Sequence, residues 1–220
     1  MGSQRPYASA WKDATLSFFD HIPALCLLIV APAMVIGVIV HSIPLYSLAS
    51  FVVTDSISSL ILVVPGLAAA LQMSRDETFY RPGMPPITQT LITRFGRLLV
   101  LGLLLILVLR PMLVGVFGIL LAAAALRLFH PARWLDRGSL RDGRGSGGGL
   151  RLMLTATPLW LLSPLVLWAG FIGVAWSIEN STPLMCGLAY VLRGMAFVWC
   201  WTILFRLYRL RDVRVQAQAA

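Results

Sequence analysis

Arg193 is the residue whose setting most demands an explanation. It lies between Leu192 and Gly194, near the middle of the apolar run 183–205. A charged Arg at mid-bilayer costs about 2.5–3.5 kcal/mol on insertion scales, so such a residue faces a bundle interior or a wet cavity. Its acidic partners by position are Asp55 and Glu179, each near the end of an apolar run. The long Arg side chain can reach towards either. Arg110, beside Pro111 inside another apolar stretch, joins the group if its turn dips into the membrane; otherwise it is an ordinary loop charge. These four, Arg193, Arg110, Asp55 and Glu179, are the candidate binding residues. The chemistry they offer is capture of an anion or a lipid head group, or else a structural ion pair. Asp55-Ser56 also has the composition of a helix N-cap, which is the plainer reading of Asp55.

Catalytic spacing is missing. His21, His41 and His130 each stand near the end of an apolar run, and no pair is spaced as HExxH. There is no Gly-x-Ser-x-Gly elbow. Cys26, Cys186 and Cys200 are odd in number, lie in apolar stretches and form no CxxC, so they read as small buried hydrophobes. GRGSGGG, residues 143–149, lacks the Gly-Lys-Ser/Thr ending of a phosphate-cradling loop and has the composition of a flexible linker. The expectation is no catalytic residue, no metal and no cofactor.

The elements that must position these residues are apolar helices. Of 220 residues, 58% are hydrophobic and 12% charged, with a mean hydropathy of +0.82. Soluble domains run at about 45–50% apolar and about 25% charged. The pattern is an all-α, polytopic membrane bundle forming one domain over residues 1–220. The net charge of +9 comes from 17 Arg and Lys12 against nine acids. In such a chain it reflects cytoplasmic loops and anionic lipid rather than nucleic acid.

Six spans are expected: 22–40, 55–73, 98–109, 112–128, 153–178 and 183–205. Pro32, Pro65 and Pro164 should bend the spans that hold them. Ahead of the first span, Tyr7, Trp11, Ala14 or Thr15, and Phe18 share one helical face, so 7–20 reads as an interfacial amphipathic helix. Ile87, Leu91 and Phe95 suggest a second interfacial helix before the third span. Trp160, Trp168 and Trp176 recur every eight residues on roughly one face of the fifth, read as lipid-facing or packed core. Thr182 with Pro183 forms an N-cap and first helical position for the sixth.

The stretch Arg97–His130 decides the topology. As one helix it would be about 50 Å long, against a hydrocarbon core of about 30 Å. Arg-rich segments flank it on both sides, Arg75 to Arg97 before and Arg133 to Arg151 after. Both stay inside only if the chain crosses twice, and Arg110-Pro111 is where a helix would break. The expectation is therefore a Pro-broken hairpin, with both termini cytoplasmic and 131–152 a basic, Gly-rich inner loop.

The order of elements resembles a group of bacterial six-helix inner-membrane proteins: the YciC-like proteins and the membrane domain attached to some glycerophosphodiester phosphodiesterases. The matching segments are WKDATLSFFDHIPALCLL, YRPGMPPITQTLITRFGRLLVLGLLL and the closing RLYRLRD. GRGSGGG stands where that family has a short polar helix. The resemblance implies a bacterial inner-membrane location and carries no catalytic residue. Together these readings point to a non-enzymatic accessory or scaffold subunit that binds lipid head groups, a membrane-protein partner or a second copy of itself. The alternative is a small transporter or channel component built around Arg193.

Overall fold

The computed structural model describes residues 5–43, 48–75, 84–109, 131, 134–135, 158–179 and 182–219. Every element among them is helical. α1 is Arg5–Asp20, α2 Ile22–Leu25, followed by a π-helical turn Cys26–Val30, and α3 is Ala31–Ser42. α4 is Leu48–Arg75, α5 Met84–Leu109, α6 Pro158–Glu179 and α7 Pro183–Ala219. Four segments are long and apolar enough to cross a membrane: Ile22–Ser42, Val53–Arg75, Pro86–Ile106 and Pro183–Arg209. Ser163–Ile178 is a shorter apolar helix. Large apolar side chains on these helices stand exposed, among them Leu27, Val35, Ile61, Leu103, Val166 and Leu188. Apolar patches of this extent mark a surface that meets something other than water, and here they are the face of a membrane protein.

α7 is the central element, packed by α1, α3, α4 and α6. From Ala196 to Tyr208 almost every residue is buried whichever way it points. A helix that is apolar all round belongs in such a position. Aromatic rings mark its packing. Trp168 meets Phe197 at 5.8 Å, and Phe197, Trp201 and Phe205 follow one another along α7 at 5.8 and 5.3 Å. Ala68, Ala69 and Ala70 of α4 are fully buried, as expected where small residues let helices close up. α3 approaches α7 more closely still. A Cβ built on Gly37 would lie 2.5 Å from the Gly187 Cα, so only glycine permits the crossing.

Prolines act less simply than a kink. Pro32 has no N–H for the carbonyl four residues back and its ring crowds that turn. The chain relieves this with the π turn Cys26–Val30, in which Ala31 N–H bonds the Cys26 carbonyl five residues away. Pro65 and Pro164 lie inside α4 and α6, which run on through them.

Several boundaries move. α4 begins at Leu48, so Asp55 is two turns inside the helix and is no N-cap. The apolar residues Leu48 to Val53 extend the helix past the polar pair that seemed to start it. The 87–95 segment and the 98–109 arm are one helix, α5, which runs through Gly96 because FGRLL holds no Pro and a single Gly costs only about 1 kcal/mol. α7 continues beyond 205 to Ala219, since RLYRLRDVRVQAQA holds no Gly or Pro. α1 exists as expected, but it is packed into the bundle. Ala10, Ala14, Ser17 and Phe18 are buried, with Tyr7 and Trp11 half-buried beside them. Thr182 does cap α7, its Oγ1 accepting from Met185 N–H at 3.2 Å.

Span 112–128, Arg110 and the GRGSGGG run lie outside the described residues. Leu135, just past the Arg97–His130 stretch, lies beside its first residue. The Leu135 carbonyl accepts from Arg94 Nη1 at 2.5 Å and Arg97 Nη1 at 3.1 Å. A straight helix from Arg97 to His130 would carry that point about 50 Å away. Trp134 and Leu135 instead join the main core.

Candidate functional site

Asp55 and Arg193 meet across the α4–α7 contact. Asp55 Oδ1 lies 3.8 Å from Arg193 Nη1, with the two side chains 24% and 16% exposed. α7 aims Arg193 here through its neighbours on the helix. One turn earlier, Tyr190 is buried and places its ring 5.3 Å from the guanidinium carbon, a cation–π contact. Next in sequence, Gly194 faces the π turn, and a Cβ there would stand 2.7 Å from Ile29 Cγ2. Glycine thus lets the bulged first helix press against α7 beside the charge.

The pair forms part of the wall of a cavity of about 120 Å³. α4 contributes Ser59 next to Asp55, and α5 contributes Leu105 and Ile106. α6 supplies Trp168 and Trp176, and α7 supplies Phe197. Trp176 is 46% exposed whereas Trp168 is buried. The two tryptophans therefore do share a face, and that face looks into the cavity. The buried Trp168 Nε1–H has no acceptor among the described residues. A buried donor left so costs roughly 1–3 kcal/mol.

Asp55 and Arg193, two of the four residues singled out by type and position, are thus brought together. Arg110 is outside the described residues, and Glu179 closes α6 with its side chain outside them. What the spacing concealed is that Asp55 serves the site rather than a helix end. The signal was present in the hydropathy: Leu48 to Val53 is too apolar for an outer loop. Ser59 and Ile106 carried no signal, since each is ordinary in an apolar helix.

No family model, curated protein or solved structure matches this chain. The site must therefore be read from its own chemistry. Among the described residues no three of His, Cys, Asp and Glu come together as metal ligands would. An ion pair with apolar and aromatic surroundings can orient a polar group and hold it by charge. A charge pair at this depth is stable only if the attraction offsets the loss of hydration, which is why close geometry and extra contacts matter. Arg193 has the carboxylate, the Tyr190 ring and the cavity beside it, an arrangement that supports the charge and leaves part of it accessible.

Proposed function

We propose that this protein is a non-enzymatic, multi-pass subunit of a bacterial inner membrane, and that it binds the head group of a lipid or similar amphiphile between α4, α5, α6 and α7. The observation that carries this reading is the Asp55–Arg193 pair on the wall of an otherwise mainly apolar cavity. The cavity beside the pair leaves its charges within reach of a ligand's polar group. Apolar and aromatic walls suit the carbon atoms next to a head group, and ligand sites between bundle helices have this make-up.

In the proposed topology the chain crosses six times and both termini are cytoplasmic. The return of Leu135 to Arg94 and Arg97 supports an even number of crossings between them. The basic residues of α5 and α7 then gather at the inner face, as the positive-inside rule requires. The cavity lies towards the outer half, since Asp55 is near the opposite end of α4 from Arg75. The resemblance to six-helix inner-membrane proteins accords with a binding role.

A cysteine in place of Leu140, in an otherwise cysteine-free chain, tests the topology. It should react with a membrane-impermeant maleimide only in inverted vesicles. Reaction in intact spheroplasts would remove the six-crossing arrangement.

A further inference from the structure

We infer that the occupant of this cavity is a zwitterion: a group carrying a primary ammonium and a phosphodiester a few bonds apart, as in an aminoethyl-phosphate head group. The inference rests on the head-group reading above and names its ligand class. It follows from charge. Among the described residues, the cavity wall carries one positive side chain, Arg193, and one negative, Asp55. These two charges cancel, and the part of the wall they form is strongly polar across 3.8 Å. A purely anionic ligand would gain from Arg193 but would leave net negative charge beside Asp55 in surroundings of low dielectric, where an uncompensated charge is costly. A ligand with no charge would leave the pair unused. A zwitterion laid antiparallel to the pair sets its oxyanion against the guanidinium and its ammonium against the carboxylate, and overall neutrality is kept.

Donors and acceptors match as well. Arg193 is a donor with a planar fork suited to phosphate oxygens. Asp55 accepts only, so a ligand N–H can add to the interactions it already makes, and a quaternary ammonium has none to offer.

The test titrates the full-length protein in a neutral detergent with dihexanoyl phosphatidylethanolamine, phosphatidylglycerol and phosphatidylcholine, and with water-soluble glycerophosphoethanolamine. Binding is followed calorimetrically. The ethanolamine lipid should bind about tenfold more tightly than the other two, the scale of one hydrogen bond to a charged group. In Asp55→Asn, nearly the same shape but with the wall now positive, the preference should turn to phosphatidylglycerol by about the same factor. Ser59→Leu, which narrows the cavity and leaves both charges, should weaken all three lipids together. Tighter binding of phosphatidylglycerol by the unaltered protein would overturn the zwitterion while leaving head-group binding in place. Absence of binding by any lipid, with glycerophosphoethanolamine also inert, would overturn both. Glycerophosphoethanolamine bound as tightly as the lipid would uphold the zwitterion and make a free solute, not a lipid, the occupant.

Discussion

Arginine does two different things at two levels of this bundle. At the end where α4 finishes, guanidinium groups bind backbone. Arg206 Nη2 donates to the Met73 carbonyl at 3.1 Å, and Ser17 Oγ donates to the same carbonyl at 3.4 Å. Arg94 and Arg97 hold the Leu135 carbonyl in the same manner. Thr90 Oγ1 donates to Gln72 Oε1 at 3.1 Å and ties α5 to that end of α4. The last carbonyls of a helix have no partner within it and carry the negative end of its dipole, so a cation placed there satisfies both. Thirteen residues back along α7, about 20 Å away, Arg193 instead faces a carboxylate and a cavity. The Met73 carbonyl is an acceptor of the kind any helix end provides. The arrangement at Arg193 needs an acidic residue inside an apolar helix, which folding alone would not favour. The contrast separates charges that bind backbone from a charge that lines a cavity, where the proposed head-group site lies.

That contrast can be broken most severely at Asp55. Asp55→Leu leaves Arg193 beside an apolar side chain, and removing one partner of a buried pair costs about 3–5 kcal/mol. With both side chains partly exposed, the expected loss is at the lower end, about 3 kcal/mol, read as a fall in melting temperature in detergent. Asp55→Leu combined with Arg193→Met should recover most of it, because no unpaired charge remains. If the double variant melts as low as the single one, the pair is not the source of the loss. A smaller effect is expected at the end where α4 finishes. Arg206→Gln loses a charge-assisted bond to Met73 worth about 1.5–3 kcal/mol but leaves Ser17 on the same carbonyl, so about 1.5 kcal/mol should go while lipid affinity stays unchanged. The smallest is Trp199→Phe, which keeps the ring contact with Trp11 (centroids 6.0 Å apart) and removes the Nε1–H bond to Thr15 Oγ1 at 3.1 Å. About 1 kcal/mol is expected. A loss of lipid affinity in either of these two variants would merge the two levels into one functional unit.

Much of the helical order is legible along the chain. Apolar runs of sufficient length, the cap Thr182-Pro183 and the small residues Ala68 to Ala70 announce α4 and α7 without reference to any neighbour. Helix ends are less legible. Asp55-Ser56 has the composition of a cap, yet the helix begins seven residues earlier because Leu48 to Val53 continue the apolar pattern. The entry helix was visible by its period, but its burial was not. Ala10 and Ala14 are small enough to be either exposed or packed, and only the proximity of α7 decides.

Composition and charge by themselves determine that this chain forms apolar helices with arginines at their ends, since hydropathy and length are local properties. They also determine that Arg193 requires compensation, because the cost of its charge in an apolar helix does not depend on what surrounds that helix. Which residue compensates it is a property of the fold alone. Asp55 and Arg193 are 138 positions apart in sequence, and they meet because α4 packs on α7, where Gly66 lies against Phe197 and Val198. The cavity beside them is likewise a product of tertiary structure, for its walls come from four helices whose separation no single stretch of sequence encodes.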